Sequence, residues 1–212
     1  MSKVKIVVIS DTHNRHAQVE IPEGDILIHA GDITSKGALR DLRRFNKFLG
    51  ELPHEHKIVI AGNHDFCFER EPLAARKELT NCIYLQDSEV IVAGIKFYGS
   101  PWQPWFCDWA FNLQRGEEIR QKWNLIPQDT DVLITHGPPF QHGDTIVNGD
   151  HVGCEDLLQK VMEVKPRYHI FGHIHEAYGI TKNDHTTFVN ASTCTLEYKP
   201  INPPVEFEYI LS

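Results

Sequence analysis

The sequence lacks the cysteine pattern of a disulfide-stabilised protein or of a zinc–thiolate site. Its 5 cysteines are odd in number, and no two of them have CxxC spacing. They are Cys67, Cys82, Cys107, Cys154 and Cys194. Scattered thiols argue against a disulfide framework and against a zinc site built from cysteines. We therefore expect a protein of the reducing cytoplasm.

Long apolar runs are also missing from the sequence. The first apolar run, at residues 6–9, is too short to be the hydrophobic region of a signal peptide. No run approaches the roughly 20 residues that a membrane-spanning helix needs. We therefore expect neither a secretory leader nor a membrane partner.

Basic residues are few relative to acidic ones. There are 21 Lys and Arg against 29 Asp and Glu, which gives a formal net charge of -8. An acidic surface repels phosphate backbones, so binding of long DNA or RNA is not expected. A small anionic substrate is still compatible with this charge if metal ions supply positive charge locally.

The remaining composition is that of a globular protein. Hydrophobic residues make up 41% of the chain and charged residues 24%. The length of 212 residues predicts a single domain over residues 1–212. Histidine is the one abundant chemical group, with 13 copies. Because histidine is the commonest metal ligand and the usual acid or base near neutral pH, the position of each copy matters.

Short apolar runs rich in β-branched residues predict strands that are buried on both faces. They lie at residues 4–9, 26–29, 58–61, 132–135 and 168–171. Helical spacing predicts helices at residues 39–49, from residue 72 towards 79, and at 154–164. Further strands are predicted as a hairpin, 89–92 with 95–98, and at 186–190 and 205–211. This alternation favours mostly parallel pairing in two stacked sheets, with helices outside.

Each of the first five predicted strands is followed by side chains that bind metals or transfer protons. The segments are DTH (11–13), GD (31–32), GNHD (62–65), HGPP (136–139) and GHIH (172–175). In isolation each is commonplace, since an aspartate after a strand is often only a helix cap. Because ligands bind beyond the carboxyl ends of parallel strands, their joint occurrence predicts one site at one sheet edge.

The chemistry of these groups predicts a pair of metal ions. Imidazole, carboxylate and amide oxygen without thiolate suit manganese, iron, zinc, cobalt or nickel. The number of donors exceeds what one tetrahedral ion needs and suits two ions, bridged by a carboxylate and a water-derived hydroxide. Such a pair clamps the attacking and leaving oxygens of an in-line phosphoryl displacement.

Taken in order, these blocks resemble the signature of the calcineurin-like metallophosphoesterases, and they span Asp11 to His175. Longer segments, among them GDILIHAGD (24–32), KIVIAGNHD (57–65) and NASTCT (190–195), are similar to the metallophosphoesterase-domain-containing branch of that family. Some members of the branch carry glycine in place of the first histidine of GHIH. This chain keeps His173 there, which implies an intact second metal site.

The resemblance implies an α/β fold, namely a four-layer αββα sandwich of two mixed β-sheets flanked by helices. It also implies a dinuclear metal site at the carboxyl ends of the strands. The residues implied around one ion are Asp11, His13, Asp32 and His175. Those implied around the second are Asp32 as the bridge, Asn63, His136 and His173. His64 is implied as the general acid at the leaving oxygen, oriented by Asp65.

The implied activity is a metal-dependent phosphodiesterase acting on small phosphodiesters, with 3′,5′- or 2′,3′-cyclic nucleotides as the expected substrates. The implied cofactors are two divalent or mixed-valence transition-metal ions, manganese first among them. A phosphomonoesterase or a protein phosphatase of the same family is the alternative enzyme. A nucleotide- or metal-binding scaffold with little turnover is the alternative outside enzymes.

Two features near the motifs can each be interpreted in two ways. Arg15 follows DTH and is either a phosphate-binding residue beside Asn63 and His64 or a surface arginine. The aromatic loop at residues 101–115 either stacks on a nucleobase or packs against the protein, including in a homodimer interface. Eight histidines have no role that the sequence supports: His16, His29, His54, His56, His142, His151, His169 and His185.

Overall fold

The computed structural model describes residues 2–211 and contains strands and helices in alternation. The strands are β1 (Lys3–Ile9), β2 (Ile26–Ala30), β3 (His56–Ile60), β4 (Ile83–Tyr84), β5 (Ser88–Val92), β6 (Ile95–Ser100), β7 (Gln103–Pro104), β8 (Asn112–Leu113), β9 (Val132–Thr135), β10 (Tyr168–Phe171), β11 (Gly179–Lys182), β12 (Thr187–Asn190) and β13 (Val205–Ile210). The α-helices are α1 (Leu39–Glu51), α2 (Cys67–Arg70), α3 (Pro72–Glu78), α4 (Glu117–Trp123) and α5 (Glu155–Val164).

The strands form two mixed sheets and a short pair. The first sheet has the order β13-β1-β2-β3-β4, and the second has the order β11-β12-β10-β9-β6-β5. Strands β1 to β4 run parallel, with β13 antiparallel at the edge. In the second sheet β6, β9, β10 and β12 are parallel, and the edge strands β5 and β11 are antiparallel. The carboxyl ends of the central strands therefore share one edge in each sheet.

Three apolar cores hold four layers together. The core between the sheets contains Ile28 from the first sheet and Ile134 from the second. Helices α1 to α3 cover the outer face of the first sheet, where Phe45 is fully buried. Helices α4 and α5 cover the second sheet, where Trp123 and Leu157 pack. Burying a large apolar side chain of this kind contributes about 1.5–3 kcal/mol.

The predicted αββα sandwich is confirmed, and the predicted strands and helices agree with the structure to within about two residues at most ends. Cys154 serves as the cap of α5, its Sγ accepting the amide of Leu157. Helices α2 and α4, strand β11 and the two-residue strands β4, β7 and β8 were not predicted. Within residues 2–211, no helix has the length and apolar character needed to cross a membrane.

Candidate metal centre

The loops after five strands meet where the edges of the two sheets adjoin. Asp11, Asp32 and Asn63 follow strands of the first sheet, and His136 and His173 follow strands of the second. A parallel bridge joins Ser10 to Ser192 across the same boundary. The backbone N–H of His173 donates to both Asp11 carboxylate oxygens, at 3.1 and 3.0 Å. One buried carboxylate thus ties the two sheets together.

The first group of donor atoms surrounds Asp11 and Asp32. His175 Nε2 lies 3.4 Å from Asp11 Oδ1. His13 Nε2 lies 3.3 Å from His175 Nε2 and 3.8 Å from Asp32 Oδ2. The donor atoms of Asp11, His13 and His175 all lie within 4.8 Å of one another, which is the spacing of a metal-binding group.

The second group surrounds the other side of Asp32. His136 Nε2 lies 3.4 Å from Asp32 Oδ2 and 2.9 Å from Asn63 Oδ1. His173 Nδ1 is also 2.9 Å from Asn63 Oδ1. Asp32 Oδ2 therefore faces both groups, as a bridging carboxylate would. The structure brings all seven predicted ligands together, while the ion that each one holds stays a prediction.

The hydrogen bonds of two histidines test whether metal ions fit this site. His136 Nδ1 donates to the carbonyl of Ala30 (3.0 Å), and His175 Nδ1 donates to the carbonyl of Thr195 (2.9 Å). In a neutral imidazole the other nitrogen, Nε2, then carries a lone pair. Each Nε2 atom faces an oxygen that can only accept. A cation placed between each Nε2 atom and its facing oxygen would be bound by both. Metal-binding histidines have this arrangement, with the second nitrogen donating to a carbonyl.

The electrostatics of the site lead to the same requirement for positive charge. Burial lowers the pKa of His136, but the Asp32 carboxylate outweighs it and raises the pKa to about 9. For His175, burial is outweighed by Asp11, and the pKa rises to about 9. Burial raises the pKa values of the two carboxylates, yet the neighbouring imidazoles hold both pKa values below the ordinary range. Because metal ions displace protons from their ligands, two cations would meet the same demand for positive charge.

Backbone conformation at the centre is unusual for residues other than glycine. Asp11, His13, Asp32 and His173 have positive φ angles of 52°, 43°, 56° and 69°. This left-handed region costs an ordinary residue of order 1–3 kcal/mol and is concentrated at functional sites. At Gly172 a Cβ would overlap Asp11 Oδ2, so only glycine lets the chain pass the carboxylate this closely.

His64 lies at the same centre with its Nε2 atom 3.8 Å from Asp32 Oδ2. Its Nδ1 donates to the carbonyl of Ser35 at 2.9 Å, which fixes the orientation of the ring. Its backbone N–H donates to Asp32 Oδ1 at 2.7 Å. His13, Asp32 and His64 also satisfy the spacing of a metal-binding group, so His64 faces the space that the ligands enclose.

The prediction that Asp65 orients the His64 ring is wrong, because the ring is hydrogen-bonded to Ser35. The Asp65 carboxylate accepts the backbone N–H groups of Ile33, Thr34 and Gly62, at 3.1, 2.8 and 2.9 Å, and the Thr34 hydroxyl at 2.8 Å. These donors occupy both of its oxygens, and the His64 ring bonds to Ser35 instead. Asp65 therefore holds the loops after β2 and β3 together and positions His64 only through the backbone.

A cavity of about 190 Å³ opens onto the centre. Its lining combines the ligands Asp32, Asn63, His173 and His175 with His64, Phe106, Trp109, Leu196 and Tyr198. Sequence reasoning missed Leu196 and Tyr198, because they come from an irregular segment without a motif. Tyr198 has a φ of 57°, and its ring meets that of His13 edge-on at 4.8 Å. This conformation is uncommon for a bulky residue, and the position of Tyr198 in the cavity wall is visible only in the structure.

Some residues of the aromatic loop pack against the protein, and others line the central cavity. Trp102 meets Phe111 edge-on at 5.4 Å and donates from Nε1 to Asp87, as the packing interpretation predicts. Trp109 stacks on His64, with ring centroids 4.1 Å apart. Phe106 is 61% exposed beside the centre. Stacking on a nucleobase stays a prediction.

Arg15 is not among the residues that line the central cavity. Its Nε atom is buried and has no hydrogen-bond partner among the described residues. Its role in substrate binding stays a prediction. Of the histidines without a predicted role, His29 and His169 are buried and bond to Thr12 and Thr135, each beside a predicted ligand.

Fold and site together define a metallophosphoesterase, and comparison with known proteins agrees. Residues 4–177 match the family model of the calcineurin-like phosphoesterases, so the chain belongs to that family. It is 49% identical, over an alignment of 226 positions, to metallophosphoesterase domain-containing protein 1 of Homo sapiens, covering 95% of this chain and 69% of that protein. The Mus musculus protein of the same name gives the same values.

Solved structures share the fold at much lower identity. TT1561 of Thermus thermophilus superposes with a TM-score of 0.60 at 13% identity, covering 90% of each chain. GAP50 of Plasmodium superposes with a TM-score of 0.53 at 10% identity, covering 98% of this chain and 81% of that one. At these identities the likeness concerns the fold alone.

Proposed function

We propose that this protein is a metal-dependent phosphodiesterase that hydrolyses small phosphodiesters, with 3′,5′- or 2′,3′-cyclic nucleotides as substrates. The observation that carries the proposal is that His64 Nε2 faces Asp32, the carboxylate common to both ligand groups, in an open cavity. A phosphoryl group held between the two ligand groups would have its leaving oxygen within reach of this imidazole.

The chain's own residues would divide the work as follows. Asp11, His13 and His175 on one side and Asn63, His136 and His173 on the other would hold two ions, with Asp32 shared. Two such ions supply Lewis acidity and lower the pKa of bound water. His64 would carry a proton on Nε2 and deliver it to the leaving oxygen, which typically contributes 10²–10⁴-fold. The Ser35 carbonyl keeps the imidazole turned towards the cavity.

The lining of the cavity favours a diester over a monoester. Within residues 2–211, the lining of the central cavity contains neither lysine nor arginine. A phosphomonoester carries one more negative charge than a diester at neutral pH, and without lysine or arginine the site has only metal ions and its histidines to neutralise that charge. The hydrophobic residues Phe106, Trp109 and Leu196 line the same cavity, which suits the organic part of a small ester better than a phosphoprotein surface.

A second cavity beside the centre has room for an organic substituent of the substrate, such as a nucleoside. It has a volume of about 450 Å³ and shares Phe106, His173 and Leu196 with the central cavity. Its walls include Trp105, Pro138, Ile146 and Val152. Aromatic side chains of this kind stack on nucleobases. We propose that this cavity holds the base of a nucleotide whose phosphate lies at the centre.

The proposal is tested with a substrate panel after loading with Mn²⁺, Fe²⁺, Zn²⁺, Co²⁺ or Ni²⁺. The panel contains 2′,3′- and 3′,5′-cyclic nucleotides, bis(p-nitrophenyl) phosphate and nucleoside monophosphates. We expect hydrolysis of diesters above monoesters. Preference for monoesters would replace the proposal with a phosphomonoesterase. Nucleotide binding with no hydrolysis under any metal would indicate a binding scaffold.

The role of His64 has its own test. His64→Ala is expected to retain both ions and lose about 10²–10⁴-fold in kcat on cyclic nucleotides. The loss should be smaller on bis(p-nitrophenyl) phosphate, because nitrophenolate leaves without a proton. Loss of a metal ion from this variant, measured by elemental analysis, would show that His64 is a ligand instead.

A further inference from the structure

A third cavity lies beyond Trp109 from the metal centre, and we call it the flanking cavity. Its volume is about 410 Å³. Its lining consists of Lys36, Phe66, Arg70, Cys107, Asp108 and Trp109. Trp109 also lines the central cavity. A single indole therefore separates the flanking cavity from the space in front of His64.

Aromatic rings continue from the centre to the wall of the flanking cavity. Trp109 lies 4.1 Å from the His64 ring on one side and 5.8 Å from the Phe66 ring on the other, measured between centroids and with interplanar angles of 30°. The Arg70 guanidinium covers the Phe66 ring at 4.4 Å. A planar group leaving the centre on the His64 side would therefore meet aromatic surface and then a fixed positive charge.

Two cationic side chains line the flanking cavity. Lys36 and Arg70 are exposed, and in the part of the chain that the structure describes neither forms a salt bridge with a carboxylate. Asp108 is the one acidic residue in the lining, so the cavity carries a net positive charge. Lys36 directly follows Ser35, whose carbonyl orients His64. The charge is thus attached to the loop that also holds the proposed acid.

We infer that the flanking cavity binds a phosphate carried by the leaving group, so that the protein also cleaves linear phosphodiesters whose leaving portion is a nucleotide. The inference rests on the proposed function, because the leaving oxygen departs at His64. In this reaction a water oxygen forms a bond to phosphorus and the bond from phosphorus to the leaving oxygen breaks. The His64 proton moves to that oxygen, the attacking water gives up one proton to solvent, and no electron transfer is involved.

The chemistry of the cavity fits that leaving group. Arginine and lysine bind phosphate through charge-assisted hydrogen bonds, and the guanidinium can do so with two parallel bonds. Phe66 and Trp109 line the same cavity and give it apolar surface beside the two cations. A cyclic nucleotide does not use this cavity, because its leaving hydroxyl stays on the same sugar and carries no second phosphate.

The experiment compares three linear dinucleotides with the Mn²⁺-loaded protein: ApA, ApA phosphorylated at its 5′ end, and ApA phosphorylated at its 3′ end. Only one of the two added phosphates lies on the leaving portion of the dinucleotide. The form that carries this phosphate should have a kcat/KM about 10-fold higher than that of ApA. In Lys36→Gln and Arg70→Gln that ratio should fall towards one. The matched control is Lys47→Gln, which removes an exposed cation on α1 and should keep the ratio.

Each outcome decides the inference. Equal kcat/KM for the three dinucleotides in the unmodified protein would overturn it, as would a ratio that survives both substitutions or falls equally in Lys47→Gln. Hydrolysis of cyclic nucleotides without hydrolysis of any dinucleotide would overturn the inference and leave the proposed function in place. If no diester in either panel is hydrolysed, the proposed function fails and the inference fails with it.

Discussion

The Trp109 indole lies against the His64 imidazole, with ring centroids 4.1 Å apart and planes inclined by 30°. The other support of the ring is the hydrogen bond from Nδ1 to the Ser35 carbonyl, at 2.9 Å. Together they leave Nε2 directed at the carboxylate of Asp32. The aromatic loop therefore reaches the centre at the residue to which we assign proton transfer.

Trp109→Ala should lower kcat on cyclic nucleotides about 10-fold, as a fraction of the 10²–10⁴-fold that a general acid contributes. The reason is that the imidazole loses one of its two supports. Turnover of bis(p-nitrophenyl) phosphate should change less, and metal content should stay the same. Trp109→Phe keeps an aromatic face and should restore most of kcat. Equal losses on both substrates would contradict a positioning role.

His173→Gly should reduce the bound metal from two ions to one. His173 Nδ1 belongs to the group around Asn63, while Asp11, His13 and His175 form the other group without it. Elemental analysis of protein dialysed against excess Mn²⁺ gives the count. The exposed His185→Gly is the matched control and should keep both ions. Loss of both ions from His173→Gly would show that the division of ligands is incorrect.

Gly172→Ala should weaken metal binding more than Gly137→Ala does. A Cβ at Gly172 would overlap the Asp11 carboxylate and the Ser10 side chain, so Asp11 would be displaced. At Gly137 the nearest atom would be Gln103 Cβ at 3.5 Å, an ordinary contact. Isothermal titration calorimetry with Mn²⁺ gives the metal affinity of each variant. Equal affinities in the two variants would mean that the close approach at Gly172 does not position the ligand.

His169 should make the protein less stable in mild acid. Burial, followed by the charge of His142, lowers the pKa of His169 from 6.5 to about 3. Between these values the unfolded chain binds a proton here that the folded chain does not. The free energy of unfolding therefore decreases as the pH falls below 6.5, by up to about 1.4 kcal/mol per pH unit.

The measurement for His169 is denaturant unfolding of the unmodified protein and His169→Gln from pH 8 to 4.5. The difference between their unfolding free energies should be constant above pH 7. Below pH 6.5 the unmodified protein should lose stability relative to the variant. The neutral Gln side chain can still donate to Thr135, whose hydroxyl lies 2.8 Å from His169 Nε2. A difference that is independent of pH would rule out this linkage.

The sequence predicted the architecture and the gathering of the ligands because both depend on local patterns. Buried β-branched runs identify the central strands, and each ligand directly follows one of them. The orientation of His64 was predicted incorrectly, since adjacency to Asp65 in the chain does not place the two side chains in contact. The backbone donors around Asp65 come from the loop at Ile33 and Thr34, and their approach depends on how β2 and β3 pair.

Other features lie beyond sequence patterns for a different reason. Strands of two residues, such as β4, have no periodicity to detect. Leu196 and Tyr198 reach the centre from an irregular segment after β12. The split of the aromatic loop between packing and the cavity depends on tertiary contacts, such as the bond from Trp102 to Asp87. Their positions follow from the assembled fold.

The metal centre straddles the seam between the two sheets, and this has a mechanical consequence. The two ligand groups meet at Asp32, yet the imidazoles of His136 and His173 belong to the opposite sheet from Asp32 and Asn63. A small slip of one sheet along the other would stretch the gap across which a phosphoryl group must fit. The packing of the core between the sheets therefore fixes the distance between the two ligand groups. A substitution deep in that core, far from any ligand, would change this distance and lower the rate of catalysis.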